Sequence, residues 1–272
     1  MTYLSLFRDL SEAKVPLSDI RTFFEGVLGK PLSVIGTEGD KEALSEKDYL
    51  PLKEKLLEGY PAVYLAGKDQ IRGLVYFLTP DVLVPRTETI DFVYGTLKEE
   101  KPEPSSILDL CTGSGFISIS LKSLFPEAKV TGSDISEAAL RLARKSAAAN
   151  HLDVSFVRSD FLASVEGSYD WIVSNPPYIE TSNPDVDAPF EPALALYSGP
   201  NGLDSYRAIF PLLLSHLNPG GKAFFELEAS NAQNVLTLFR SFVPAEKAKA
   251  SFLLDMEGKK RYLRVDLTSC LA

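Results

Sequence analysis

Apolar side chains recur at helical spacing through residues 1–66. The clearest set covers residues 4–28, and a second runs from Leu44 to Leu57. Gly29 followed by Pro31 ends the first set, as at many helix ends. The pattern predicts short amphipathic helices that form a small amino-terminal domain. Because this stretch has no convergent polar cluster, we expect it to dock a substrate or to pack, and not to catalyse.

The pattern changes to short apolar runs over residues 67–90. Apolar residues cluster at Leu74–Leu78 and again at Val82–Val84, with Thr79–Asp81 between them. Short apolar runs on both sides of a turn predict a β-hairpin. We expect this hairpin to link two domains.

Strand and helix patterns alternate after about residue 90. Strand patterns occupy Ile107–Leu110, Lys129–Gly132, Val154–Val157, Trp171–Val173 and Ala223–Leu227. Helical patterns occupy Gly115–Leu124, Glu137–Asn150 and Ser205–Leu217. Because parallel neighbours need helical crossovers, the alternation predicts an α/β fold over residues 91–272 with a mostly parallel sheet. Two final patterns, Ala250–Leu254 and Tyr262–Leu267, predict an antiparallel hairpin at the sheet edge and complete a seven-stranded sheet.

The composition is that of an ordinary globular protein. Of the 272 residues, 45% are hydrophobic, and 28 basic against 37 acidic side chains give a formal net charge of −9. Nucleic-acid binding relies on clustered lysine and arginine, so this balance argues against a nucleic-acid partner. The two cysteines, Cys111 and Cys270, form neither a disulfide framework nor a four-ligand zinc site. With no long apolar run and no leader pattern, we expect a cytoplasmic protein without a metal or a membrane partner.

A glycine-containing loop follows the first strand pattern of the α/β region and opens the first helix. Its residues are Cys111, Thr112, Gly113, Ser114 and Gly115. Glycines at such a turn let the backbone approach a ligand and accept positive φ values. Taken alone, the two glycines fit a tight strand-to-helix turn equally well.

The acid at the end of the next strand indicates the class of ligand. Asp134 lies about 20 residues on, where a carboxylate can accept hydrogen bonds from both hydroxyls of a ribose. Ser118 stands where a dinucleotide site has its third glycine, so a pyrophosphate would be poorly held. We therefore expect an adenosine-containing ligand without phosphates, such as S-adenosylmethionine. Asp109 either orients the amino group of this ligand or is a carboxylate beside a helix start.

Asp160 and Phe161 follow the third strand pattern. The carboxylate can accept the exocyclic amino hydrogen of adenine while the aromatic residue lines the base pocket. The same pair also suits a helix N-cap followed by a core aromatic residue. We expect both residues, with Asn175, to take part in the cofactor site.

The motif Asn175-Pro176-Pro177-Tyr178 directly follows an apolar strand pattern. Successive prolines fix φ and remove two backbone donors, so the turn presents oxygen acceptors. A planar nitrogen is a poor nucleophile because its lone pair is delocalised. The Asn175 side-chain oxygen and the Pro176 carbonyl can each accept one N–H, which orients the nitrogen and counters its developing positive charge. Tyr178 can pack on the planar group, so all four residues are predicted to bind substrate and to catalyse.

With these motifs the chain resembles the class I S-adenosylmethionine-dependent methyltransferases, which have a Rossmann-like sheet. More specifically, it resembles the peptide chain release factor N(5)-glutamine methyltransferases, almost end to end. The resemblance includes Val84–Thr89, Phe190–Pro192 and Asp255–Arg261. It implies methylation of the Gln side chain in the Gly-Gly-Gln motif of class 1 release factors, with S-adenosylmethionine as donor and S-adenosylhomocysteine as product.

Some positions depart from the pattern of that family. Thr87 stands where proline is usual, and Leu227 and Glu228 replace a usual His or Ile followed by Gly. These changes lie outside the methyl-transfer motif and concern the docking of the substrate. Residues 179–202 contain four prolines and no clear period, and we expect a long irregular loop that covers the active site.

Three other functions share parts of this pattern. A glutamine methyltransferase for a ribosomal protein would have the same motif and domain plan. A nucleic-acid exocyclic-amine methyltransferase also uses such a turn, on a flipped base, but the charge of −9 weighs against it. A non-enzymatic adenosine-binding module would leave the diproline turn without a use. The sequence favours the release factor as substrate.

Overall fold

The computed structural model describes residues 1–182 and 188–268. Pro184, one of the four prolines of the expected long loop, and Cys270 lie outside the described residues. The chain divides into two compact units, Met1–Pro80 and Asp81–Ala272. The boundary therefore follows Pro80, inside the segment that the sequence assigns to a linking hairpin.

The first unit is mainly helical. Its helices are α1 (Tyr3–Glu12), α2 (Leu17–Thr22), α3 (Val34–Glu38), α4 (Glu46–Leu57) and α5 (Ala62–Ala66), and a π-helical turn, Phe23–Val27, continues α2. Side-chain hydroxyls cap two of them: Thr2 accepts from the Ser5 amide, and Ser45 accepts from the Asp48 amide. Leu6, Leu10, Ile20 and both Phe23 and Phe24 share one buried core, as the helical spacing predicts.

A β-hairpin ends this unit, but its turn is not where the sequence pattern places it. Strands β1 (Lys68–Ile71) and β2 (Leu74–Phe77) pair antiparallel around Arg72 and Gly73. Both turn residues have positive φ, 52° and 87°, which suits a tight two-residue turn. The expected hairpin around Thr79–Asp81 is wrong: the chain does turn at Pro80 and Asp81, but the apolar run Val82–Val84 that follows is not a strand.

The second unit alternates strands and helices as predicted. Its strands are β3 (Ser106–Leu110), β4 (Lys129–Asp134), β5 (Ser155–Arg158), β6 (Tyr169–Ser174), β7 (Leu217–Glu226), β8 (Ala248–Leu254) and β9 (Lys260–Leu267). Its helices are α6 (Thr87–Asp91), α7 (Phe116–Leu124), α8 (Glu137–Ala149), α9 (Ala193–Leu196), α10 (Asp204–Leu213) and α11 (Ala232–Phe242). A π-helical turn, Phe92–Thr96, and the 3₁₀ turns Leu97–Glu99, Leu214–His216 and Ala229–Asn231 complete the unit.

The seven strands form one sheet in the order β5-β4-β3-β6-β7-β9-β8. Five strands are parallel, and β9 pairs antiparallel with both β7 and β8. The mostly parallel seven-stranded sheet and its antiparallel edge hairpin are thus confirmed. The chain moves outward from β3 to β5 and then returns to place β6 on the other side of β3. Open α/β sheets bind ligands at the carboxyl ends of strands beside such a switch point.

Two stretches of the second unit differ from the sequence pattern. The predicted helix over Ser205–Leu217 is shorter, because β7 already begins at Leu217 and includes Pro219 and Gly220. Residues 179–202 are not wholly irregular, since they contain α9, and Ile179 pairs with Tyr197 as a parallel bridge. Over the described ranges, the model contains no helix of the length and hydrophobicity that crossing a bilayer requires.

Candidate active site

The loop after β3 is shaped by two glycines with positive φ. Gly113 has a φ of 54° and Gly115 a φ of 83°. A Cβ on Gly115 would lie 2.9 Å from Ile119 and 3.1 Å from Ala143, so this glycine lets α7 pack closely on α8. A Cβ on Gly113 would meet nothing within 4 Å. Gly113 therefore faces open space while Gly115 has a packing role.

Asp109 holds this loop from beneath. Its Oδ2 accepts hydrogen bonds from the Thr112 hydroxyl at 2.5 Å and from the Ser118 amide at 2.9 Å, in the first turn of α7. Burial raises the pKa of Asp109 to about 7, although these hydrogen bonds lower it. Its Oδ1 is buried and has no partner among the described residues. Asp109 thus serves as the carboxylate beside a helix start, with one oxygen left unpaired.

Asp134 lies at the end of β4, next to the glycine loop. Its Oδ2 accepts the Gly113 amide and its Oδ1 accepts the Ser136 amide, both at 2.9 Å. Burial raises the pKa of Asp134, while these amides lower it. Each oxygen keeps a lone pair, so the carboxylate can still accept from two ribose hydroxyls.

A pocket forms where the loops after β3 and β6 meet. Five predicted cofactor residues line it: Cys111, Thr112, Gly113, Ser114 and Asn175. The other lining residues are Leu83, Pro85, Arg86, Thr89, Phe116 and Ile117. With the open space over Gly113 and the carboxylate of Asp134 beside it, these residues fit a phosphate-free nucleoside bearing an amino-acid tail better than a pyrophosphate.

Four other predicted cofactor residues do not line this pocket, namely Asp134, which lies beside it, and Gly115, Asp160 and Phe161. Gly115 packs between helices, and Asp160 and Phe161 follow β5 at the edge that carries Asp134. The Asp160 side chain is exposed, and Phe161, with a φ of 46°, packs partly against the large core of the unit. Their assignment to the adenine remains a prediction.

Cys111 is not activated for nucleophilic chemistry. Burial and the neighbouring carboxylates of Asp134 and Asp109 raise the pKa of its thiol well above the ordinary value. The thiolate is the nucleophilic form, so this cysteine is a wall of the pocket. Over the described ranges, no three His, Cys, Asp or Glu side chains are grouped to hold a metal ion.

Two hydrogen bonds anchor the start of the diproline turn. The Ser174 hydroxyl donates to the Leu110 carbonyl of β3 at 2.8 Å, which holds the turn beside the glycine loop. The side-chain NH2 of Asn175 donates to the Thr89 hydroxyl at 3.3 Å. The Asn175 Oδ1 accepts no hydrogen bond from the described residues, and Asn175 lines the pocket. This oxygen is the acceptor that the sequence predicts for a substrate N–H.

Glu226, at the end of β7, lies behind the turn. Its carboxylate accepts from the Thr89 hydroxyl at 2.7 Å and from the Tyr178 hydroxyl at 3.2 Å. The side chain is 3% exposed, and burial raises its pKa to about 7. Tyr178 is thereby held from behind, and its ring packs partly on the core. Neither Thr89 nor Glu226 belongs to a motif that predicts a site residue, although both lie in or beside stretches that resemble the family.

An ion pair joins two segments near the pocket. Arg86 donates to Glu191, whose other oxygen accepts the Val84 amide at 3.0 Å. The Glu191 side chain is 5% exposed, and Arg86 lines the pocket. The segment that follows the diproline turn is therefore tied to the residues that form one wall of the pocket.

Comparisons with known proteins agree with this geometry. The sequence model of the methyltransferase small domain matches residues 90–189. A release factor glutamine methyltransferase of Deinococcus radiodurans is 33% identical over 263 residues, which cover 94% of this chain and 93% of that protein. A release factor glutamine methyltransferase of Streptococcus pneumoniae is 34% identical, over 85% of this chain and 82% of that protein.

A solved structure supports the fold. A methyltransferase from Pyrococcus furiosus superposes with a TM-score of 0.56 at 21% identity, over 82% of this chain and 98% of that chain. At this level of identity the likeness concerns the fold alone. The sequence relatives carry the functional comparison.

Proposed function

Because the chain belongs to the release factor glutamine methyltransferase family, we propose that it methylates the side-chain amide nitrogen of a glutamine in peptide chain release factors. The donor is S-adenosylmethionine. The modified residue is the Gln of the Gly-Gly-Gln motif in class 1 release factors. One observation carries this proposal: the unpaired oxygen of Asn175 and the glycine loop line the same pocket.

The residues after β3 and β4 hold the donor. The segment Cys111–Gly115 supplies backbone amides and open space at Gly113, and Asp134 accepts from the ribose hydroxyls. Asp160 and Phe161 contact the adenine. When bound, S-adenosylmethionine supplies a methyl group on a sulfonium, which needs no activation by the protein.

The diproline turn prepares the acceptor. The Asn175 oxygen and the Pro176 carbonyl each accept one hydrogen of the glutamine NH2, which removes its rotational freedom. The same oxygens stabilise the positive charge that develops on nitrogen. Pro177 keeps the turn rigid, and Tyr178 packs on the planar amide. No strong base is required, because the nitrogen loses its proton readily after methylation.

The amino-terminal helices, residues 1–66, dock the release factor, and the segment 67–90 links them to the catalytic domain, residues 91–272. The absence of a catalytic motif from the sequence of residues 1–66 supports a docking role. No direct contact with nucleic acid is expected at a net charge of −9. The protein works in the cytoplasm, where its proposed substrate terminates translation. A ribosomal protein as substrate is disfavoured by the names of the relatives.

The test is a transfer assay with methyl-labelled S-adenosylmethionine and purified release factor, ribosomal proteins and RNA. We expect label on the release factor, on the Gln nitrogen, and none after that Gln is replaced by Glu. Asn175→Ala should lower kcat roughly 100-fold or more, since it removes a transition-state acceptor, while the variant still binds S-adenosylmethionine. Asn234→Ala, on α11, is the matched control and should behave as wild type. Label confined to RNA or ribosomal protein contradicts the proposal.

A further inference from the structure

The buried carboxylate of Glu226 is connected to both polar side chains of the diproline turn. It contacts Tyr178 directly and Asn175 through the hydroxyl of Thr89. The Glu226 oxygens accept separately from Thr89 and from Tyr178. Thr89 and Glu226 are each 3% exposed. Thr89 in turn contacts the amide of Asn175. The side chains of Asn175, Thr89 and Glu226 thus form a chain of hydrogen bonds. It starts at Asn175, which lines the pocket, and ends at Glu226, the last residue of β7.

The direction of these hydrogen bonds is set at the Glu226 end. An ionised carboxylate only accepts, and a hydroxyl has a single hydrogen to donate. The Thr89 hydrogen must therefore point to Glu226, so the Thr89 oxygen is left as an acceptor. Only the NH2 end of the Asn175 amide can satisfy that acceptor. The orientation of a side-chain amide follows from its hydrogen-bond network, and here the network leaves one choice.

We propose that Glu226 and Thr89 are positioning residues that hold the Asn175 amide with its oxygen toward the substrate. The inference rests on the proposed function. In the opposite orientation Asn175 would present NH2 to the NH2 of the substrate, and two donors cannot form a hydrogen bond. The carboxylate thereby converts a side chain with two nearly equivalent ends into an acceptor of fixed direction. Through its second oxygen it also fixes the hydroxyl of Tyr178, at the other end of the turn.

The charge state of Glu226 is governed by several neighbours. Burial raises its pKa to about 7, Thr89, Tyr178 and Arg261 lower it, and Glu88 raises it. The phenols of Tyr178, Tyr206 and Tyr262 lie close; burial raises their pKa values most, and the charge of Glu226 raises them further. A protonated Glu226 could donate to Thr89, and the direction of the chain would no longer be fixed. Activity should therefore rise with pH as Glu226 ionises.

The test compares Thr89→Val, Thr89→Ser and Glu226→Gln in the full chain, with Thr237→Val on α11 as control. Measured quantities are kcat and KM for the release factor, the Kd of S-adenosylmethionine, and the pH profile of kcat. We expect kcat to fall roughly 10-fold to 100-fold in Thr89→Val and Glu226→Gln, with the Kd within about 2-fold, because misorientation costs rate and not donor affinity. Thr89→Ser should restore most of the rate. Glu226→Gln should remove the limb of the pH profile near neutrality.

The outcomes separate the two proposals. A wild-type enzyme that methylates the release factor, with Thr89→Val and Glu226→Gln equally active, refutes the positioning role alone. An unchanged pH profile in Glu226→Gln also refutes it, as does a loss in Thr89→Val that serine does not restore. A wild-type protein that leaves the release factor unlabelled refutes the proposed function and the positioning role with it.

Discussion

Gly113 and Gly115 both need a left-handed backbone, but their surroundings differ. Alanine at either position incurs the conformational cost of positive φ, about 1–2 kcal/mol. Only at Gly115 would the new methyl also overlap Ile119 and Ala143. The first glycine lines the pocket and the second brings two helices together. Their substitutions should therefore separate donor binding from stability.

We predict that Gly115→Ala destabilises the protein more than Gly113→Ala does, by about 1–3 kcal/mol, the usual cost of overpacking. The φ cost is common to both variants and cancels in this difference. Gly113→Ala should instead weaken the binding of S-adenosylmethionine, because its methyl group points into the open space of the pocket. Urea unfolding and calorimetric titration measure the two effects. Equal stabilities for the two variants would contradict the packing role of Gly115.

At the residue scale, sequence patterns identify groups that lie close together along the chain. The glycine loop, Asp134 and the diproline turn each follow a strand, and strand ends of a parallel sheet share one edge. Thr89 and Glu226 could not be identified in this way, since they are 137 residues apart and each is unremarkable in its own segment. Only the fold shows that they meet behind Asn175.

At the scale of elements, an ion pair joins the segment after the diproline turn to the residues before α6. Glu191 binds both Arg86 and the Val84 amide, and so joins the residues before α9 to those before α6. The carboxylate is nearly buried whereas the Arg86 side chain is 40% exposed. Because an ion pair with one buried partner is screened less than a surface pair, this contact should order the segment before the substrate binds.

We predict that Arg86→Met and Glu191→Gln each raise the KM for the release factor about 2-fold to 10-fold, the cost of ordering a freed segment on binding. The value of kcat should change little, since neither side chain contacts the diproline turn. Steady-state kinetics with the full-length substrate measure both. Arg144→Met, which breaks an exposed pair with Glu137 on α8, is the matched control. A large fall in kcat with unchanged KM would contradict this role.

The helical and strand patterns predict most elements. They fail where the structure depends on which segments of the chain pair as strands. The parallel strands and the edge hairpin follow from alternation and turn signals, whereas the strand order does not and is shown only by the structure. The sequence interpretation contains no helix at the position of α11, although Ala232, Val235, Leu236 and Phe239 repeat at helical spacing and indicate one. The sequence pattern places the turn of the hairpin β1–β2 too late because the apolar run Val82–Val84 is not a strand, and pattern alone cannot show which segments pair as strands.

At the scale of the whole molecule, two buried carboxylates make the fold sensitive to pH. Burial raises the pKa values of Asp109 and Glu226 to about 7. In the unfolded chain both groups ionise near pH 4, at their ordinary values. Between about pH 4 and about pH 7, Asp109 and Glu226 therefore hold protons in the folded protein that they have already released in the unfolded chain. Raising the pH through this window therefore lowers the free energy of unfolding, and the loss is complete above pH 7.

We predict that the free energy of unfolding falls between pH 5 and pH 8, by on the order of 3 kcal/mol for each of these carboxylates. Chemical unfolding at the two pH values measures the fall. The carboxylates whose pKa values are lowered, Asp9, Asp170 and Asp255, lose their contribution only at lower pH and do not affect this window. Glu226→Gln should reduce the pH dependence, whereas the exposed Glu127→Gln should not. An unchanged dependence in Glu226→Gln would show that Glu226 is not the titrating group.

Glu226→Gln should raise the stability of the protein and lower its activity. At pH 8 the wild-type protein contains an ionised, buried Glu226, which glutamine replaces with a neutral side chain of equal size. Glu226→Gln is therefore expected to be more stable than wild type at pH 8 and less active, because glutamine can donate to Thr89 as well as accept from it, so the direction of the hydrogen bonds is no longer fixed. If Glu226 served only to stabilise the fold, Glu226→Gln would lower both stability and activity. The buried charge of Glu226 is thus expected to lower stability while it orients the Asn175 amide. This combination is typical of a functional site.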